Sequence, residues 1–412
     1  MNHAPASTSP GTQSGAGGPD TARSFEVLSE SLRVGGPEAA IRALVEQLEA
    51  AGEYRALLDA LLLKARHELG LPPVQVGSLY DLPETVRTQF EERYVEAIRH
   101  VGTKLLAAGE IPAAWAYFRA IGEQEPVAAA LDRYLPGDDH EKLAQVIDVS
   151  FNQGANPRRG FELILGHYGT CSAITALEQA RIHDPAIQAA CVERLVRHLH
   201  AQLLENLQAD LRQRGTPATG ASRSITELVA AHPELFAEEA YHTDVSHLSS
   251  TVRYSIMLTD RAALALAADL AEYGRRLSPR LQFEGAPPFE RTFEDHLRYL
   301  RALLGQDVEQ AVAHFRRKAE ETLGDDLEST YPAQVLVNLL VRIGRLEDAI
   351  DVAGEQLAGL ADGALVCPGV AELCQRAGRL DRLEAIARSH GNPVQFLAAR
   401  LGTRPSAADA GA

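Results

Sequence analysis

Gly344-Arg-Leu-Glu347 is answered 34 residues later by Gly378-Arg-Leu-Asp381. Each tetrapeptide separates two short runs with the same apolar spacing. Ala333, Leu336, Val337 and Leu340 precede Gly344, and Leu346, Ala349 and Ala353 follow it. Cys367, Val370, Ala371 and Cys374 precede Gly378, and Leu380, Leu383 and Ala387 follow it. Steps of three and four put each set on one face of a helix. A glycine between two such helices lets the chain reverse in a few residues. The segments 330–363 and 364–397 therefore read as two contiguous helical hairpins. Cys367 and Cys374 fall on inward offsets and read as small buried hydrophobes.

Working outward, the same pattern stands around Gly109. Ile98, Val101 and Leu105 form the inner face of a first helix, and Gly102 is small enough for a neighbour to approach closely. After the turn, Ala114 leaves room at the helix crossing, Phe118 fills the gap beyond, and Pro126 stops continuation. A looser version begins at Gly305-Gln-Asp-Val, with Ala311 and Phe315, and a fainter one at Gly52-Glu-Tyr54, with Leu57 and Leu61. This alternation of small and large residues at a 34-residue period resembles the tetratricopeptide repeat, most clearly at 95–128 and 330–397. Ile98 stands where that family prefers Trp, and Ile121 where it prefers Ala. The resemblance implies an α-solenoid of stacked hairpins whose concave face binds a protein or peptide partner.

The rest of the 412 residues agrees with an all-α chain. Aromatic residues make up only 6%, and the 45% hydrophobic share comes mainly from Leu, Ala, Val and Ile. No strand-like alternation and no strand–glycine loop–helix unit occurs. Helical periodicity covers Pro83 to Ala108, a run from the Asp184-Pro185 start to Gln213, and the segments 245–258, 260–276, 288–304 and 306–322. Ser224-Ile-Thr-Glu227 has capping-box spacing, while 214–223 and 278–288 are loops. The expected organisation is a disordered tail at 1–22, hairpins at 23–135, an irregular helical region at 136–300, repeats at 301–403 and a second tail at 404–412.

A net charge of −16 argues against binding a phosphate backbone, which needs clustered Lys and Arg. The four cysteines form no CxxC and no disulfide framework. No secretory signal or spanning apolar run is present, so the expected location is cytoplasmic.

Any chemistry would sit in the middle third, where nine of the 14 histidines lie. His167 and Cys171 flank a helix break near Gly169. In His242-Thr-Asp244-Val-Ser-His247, Asp244 or Thr243 would cap a helix and place His247 in its first turn, near Arg253. A helix N-terminus favours the neutral imidazole, which can act as a base or metal ligand. His198 and His200, on different faces of one long helix, read as exposed. Arg316-Arg317-Lys318 reads as a solvated face, and the acidic pairs 138–139 and 325–326 as helix starts. HExxH, GxSxG, Walker, GxGxxG and EF-hand patterns are absent. The expectation is thus a scaffold or adaptor without cofactor. The alternative is an all-α enzyme using His167, Cys171, His242, Asp244, His247 and Arg253, with a bound transition metal as one form of it.

Overall fold

The computed structural model describes residues 19–74, 77–180, 182, 184–215, 224–322 and 329–402. The expected tail at 404–412, residues 1–18 of the other tail, 216–223 of the loop, His183 and the acidic pair 325–326 lie outside them. Residues 19–22, assigned to the tail from sequence, begin the first helix. Among the described residues the fold is all-α without strands, and the extended pairing that does occur is an isolated bridge between Glu284 and Arg291. No helix there is long and apolar enough to cross a membrane. The chain divides into two compact units, 1–160 and 161–412.

The first unit runs through α1 (Pro19–Ala51), bent at Gly36, α2 (Tyr54–Glu68), α3 (Glu84–Ala107), α4 (Ile111–Ala120), α5 (Glu125–Arg133) and α6 (His140–Ile147). Neighbours in sequence pack as hairpins from α1 to α4. Ile98, Val101 and Leu105 of α3 are buried against Ala114 and Phe118 of α4, as their spacing requires. A Cβ at Gly102 would lie 2.7 Å from the Phe118 ring, so the small residue sets how close the two helices come. Asp139 caps α6 by accepting from the Lys142 amide at 2.9 Å.

The division falls in the first turn of α7 (Pro157–Gln179), which bends at Gly169. The second unit continues with α8 (Pro185–Gln213), α9 (Ile225–Ala231), α10 (Val245–Tyr254), α11 (Arg261–Arg276), α12 (Thr292–Leu303), α13 (Val308–Glu321), α14 (Tyr331–Arg342), α15 (Leu346–Gln356), α16 (Val370–Ala377), α17 (Leu380–Ser389) and α18 (Pro393–Gly402). From α11 to α18 each helix packs on the next, and α8 lies against α10 and α11. One apolar core extends from Phe289 to Ala399 and takes in Ala349, Ala353, Cys374 and Leu383. Burial pushes the thiols of Cys374 and Cys367 up to about 11 and about 12, as expected of cysteines packed as hydrophobes.

The turns explain the repeated glycines. Gly344 and Gly378 have φ of 81° and 69°, left-handed values that a Cβ penalises. At each, the glycine amide donates to the carbonyl three residues back and the next amide to the carbonyl five back, a Schellman closure of the helix end. The same bond pair recurs at Gly52, Gly109 and Gly305. The arginines that follow Gly344 and Gly378 also have a use. Arg345 pairs with Glu309 and Asp348, and Arg379 reaches Glu347 at 2.6 Å and Asp381 at 3.0 Å. These two hairpins are thereby each joined by charge to the one before, although exposed pairs contribute little individually.

Two expectations fail in this unit. His200 is not exposed: the buried stripe of α8 through Leu195, Leu199 and Leu203 includes it, at 5% exposure, while His198 remains at the surface. Arg316-Arg317-Lys318 is not simply solvated either, because Lys318 is mostly covered and pairs with Glu290 at 2.6 Å, and Arg317 donates to His314.

Gly102→Ala should destabilise the first unit by about 1–3 kcal/mol, because overpacking against Phe118 outweighs the roughly 1 kcal/mol gain in helix propensity. Urea denaturation of the variant and the parent chain measures the difference; equal midpoints would refute the close approach.

Candidate functional site

The structure does not gather the histidine-rich segments into one centre. His167 and Cys171 are exposed, one on either side of the bend at Gly169. Asp244 is an N-cap, accepting from the Ser246 and His247 amides at 2.8 and 3.1 Å and from the Ser246 hydroxyl. These bonds, the Ser246 hydroxyl foremost, hold its carboxyl below the usual range. His247 stands half-buried in the first turn, and Arg253 is exposed with a bond to the Ser250 hydroxyl at 3.2 Å. Among the described residues no hydrogen bond, ion pair or ring contact joins the 167–171 and 242–247 segments. No group of three or more His, Cys, Asp or Glu side chains there is placed to hold a metal ion.

His242 turns away from Asp244 into the helix packing. Its Nε2 lies 3.1 Å from Asp210 and its Nδ1 3.1 Å from the Tyr273 hydroxyl. The carboxylate can only accept, so the neutral ring carries its proton on Nε2 and Nδ1 accepts from the Tyr273 O–H. The Tyr273 oxygen in turn accepts from the His242 amide at 2.8 Å. Tyr273 is fully buried, and burial drives its phenol far above the ordinary range, which keeps it a neutral donor. The Asp210–His242–Tyr273 chain thus ties the end of α8 to α11 and to the segment before α10.

Two further imidazole–carboxylate pairs repeat this device. His200 donates to Asp269 at 3.1 Å, and Asp269 also accepts from the Ile225 amide at the start of α9 and from Thr226. His314 donates to Asp295 at 3.0 Å, and Asp295 accepts from the Arg291 amide at the start of α12. Burial works against both carboxylates, yet the hydrogen bonds outweigh it and hold each below the usual range. The same holds for Asp210, where bonds from His242 and Arg214 prevail. These groups satisfy one another inside the fold, which is the arrangement of structural ties.

The candidate surface lies in the first unit, on residues the sequence did not single out. Two adjoining hollows of about 390 and 270 Å³ lie across α1, α2 and α3 and share Lys64 and Glu68. Ile41 and Val45 of α1 and Leu61 of α2 supply apolar lining. The rim carries both signs: Arg42 and Glu38 at one end, Arg93 and Glu96, 3.0 Å apart, at the other. The nearby Glu49 holds His100 and Lys104 of α3, with its carboxyl lowered chiefly by the His100 hydrogen bond despite burial. The groove thus combines apolar lining with a rim of both charges. The signal in the sequence was the polar face of three successive helices, indistinguishable there from ordinary solvated surface. Compared with protein-family models and with curated proteins, the sequence matches none.

The buried groups give the second unit a defined acid response. His296 is 3% exposed, stacks on Phe289 and donates to the Thr292 carbonyl, and burial pushes its pKa down from 6.5 to about 4. The unfolded chain binds this proton more readily, so stability is full above pH 6.5 and falls as pH drops toward 4, by about 3 kcal/mol. Asp210, Asp269 and Asp295, lowered in the fold, add their loss only below about pH 4. Denaturation midpoints measured from pH 7.5 to about 2 should show both windows, and His296→Gln should flatten only the upper one. An unchanged upper slope in that variant would refute the assignment.

Proposed function

We propose that the chain is a helical-repeat scaffold of tetratricopeptide type that binds a protein or peptide partner. The observation that carries the reading is the pair of adjoining hollows spread over three successive helices of the first unit. Stacked hairpins leave such elongated grooves between their helices, and the turns at Gly52, Gly109, Gly305, Gly344 and Gly378 are closed by the same glycine bond pair. Small helix-crossing residues support it too: Ala114, Ala349 and Ala353 are fully buried at the offsets that the repeat pattern assigns them. The partner chemistry follows from the lining. One aliphatic or aromatic side chain enters against Ile41, Val45 and Leu61, flanked by polar or charged residues of either sign that meet Arg42, Lys64, Glu68 and Arg93. The buried imidazole–carboxylate ties of the second unit then serve rigidity, holding helices in register rather than turning over a substrate.

The test is affinity capture with the full chain and with Ile41→Lys/Val45→Lys, both verified as folded by circular dichroism. The parent chain is expected to recover a partner from its native host at one-to-one stoichiometry, and the double variant to recover it at least about tenfold less. Recovery of no stoichiometric partner by the folded parent, or equal recovery by the double variant, would overturn the reading.

A further inference from the structure

The second unit holds a concentration of arginine that the overall charge conceals. Glu272 of α11 is 2% exposed and is shared by three guanidiniums. Arg275 binds it through Nη2 and Nε at 2.7 and 3.2 Å, Arg276 through Nε at 3.0 Å, and Arg301 of α12 through Nη2 at 3.5 Å. One turn from Arg301, Arg298 lies 3.5 Å from Glu294, which also takes Arg291 at 2.7 Å. Five guanidiniums therefore stand against two glutamates. Arg275, Arg298 and Arg301 line a hollow of about 250 Å³ with Leu297 beside them and Gln310 of α13 opposite. Two carboxylates, Glu294 and Asp307, border the same space.

Each guanidinium has five N–H donors in a planar fork. Among the described residues, Arg298 and Arg301 each use one, at the long distance of 3.5 Å, so their forks keep donors for an incoming oxyanion. The Glu272 carboxylate fixes Arg275 through two bonds, which lowers the entropy that would be lost on binding. A monocarboxylate would gain little here, since it offers Arg298 what Glu294 already supplies. A phosphoryl group brings up to two charges and three acceptor oxygens, enough to engage three forks at once and to compete with Glu294. The hollow exceeds the volume of a few waters, at about 30 Å³ each, and so has room for the organic part of an ester.

We propose that the hollow between α11, α12 and α13 binds a phosphate monoester through Arg275, Arg298 and Arg301. The group is either a phosphorylated small molecule or the phosphorylated side chain of a polypeptide. The site lies in a different unit from the α1–α3 groove and does not depend on it.

Calorimetric titration of the full chain at low salt tests this with four probes: O-phosphoserine, a phosphoserine peptide, its unphosphorylated form and acetate. Binding of at least one phosphorylated probe, weakened by added salt, with none by acetate or the unphosphorylated peptide, is expected. Tighter binding of the phosphopeptide assigns the source to a polypeptide, and equal or tighter binding of O-phosphoserine assigns it to a free ester. Arg298→Gln should weaken the interaction about tenfold or more. Glu294→Gln removes the competing carboxylate and should tighten it several-fold, which keeps the test decisive if the arginine variant folds poorly. Absence of heat with both phosphorylated probes, or affinities unchanged by either substitution, would overturn the proposal.

Discussion

Every helix in a stacked array must end cleanly and send the chain back, and its last carbonyls must find donors when it does. At several of its turns this chain meets that constraint with a left-handed glycine whose amide and successor amide cap the preceding turn. Because the closure at Gly52, Gly109, Gly305, Gly344 and Gly378 uses the same bond pair, the hairpins that follow are similar whatever their side chains. Side chains then decide how closely helices approach. Gly102 against Phe118 and Gly274 against Phe293 are two tight cases, where glycine backbone and aromatic ring meet with no room for a Cβ.

The second unit adds polar ties to that apolar frame. Asp269 accepts at the start of α9 and Asp295 at the start of α12, so each carboxylate satisfies helix-terminal amides while a histidine from another helix holds it in place. Buried carboxylates of this kind contribute specificity of arrangement because any other packing would strand them. They also explain why short, irregular elements such as α9 persist beside the long helix α8.

The all-α fold, the extents of α8 and α3 and the Asp184, Ser224 and Asp244 caps were legible in the sequence, since caps and periodicity are local signals. The partners of the histidines were not. His200 meets Asp269 and His314 meets Asp295 across 69 and 19 residues, and no local pattern encodes those meetings. His242 and Asp244 looked like companions because they are neighbours in the chain, yet helix geometry sends one inward to Tyr273 and keeps the other on its own amides. The arginine cluster escaped notice for a different reason. Its members are spread over 275–301 in a chain of net −16, and an average over the chain erases a local excess.

The charge links between hairpins have a direction. Arg345 reaches back to Glu309, and Arg379 reaches back to Glu347, so the 330–363 segment presents an acid to its successor and an arginine to its predecessor. Asp381 occupies the acid position of the last such unit, and it is bound by Arg379 of its own hairpin. Asp381 is thus paired within its own hairpin, as Asp348 is with Arg345 one hairpin earlier. α18 packs on α17 by other means, with Gly402 against Leu380, Arg388 over the Phe396 ring and Arg400 paired with Glu384, and so leaves that acid to Arg379.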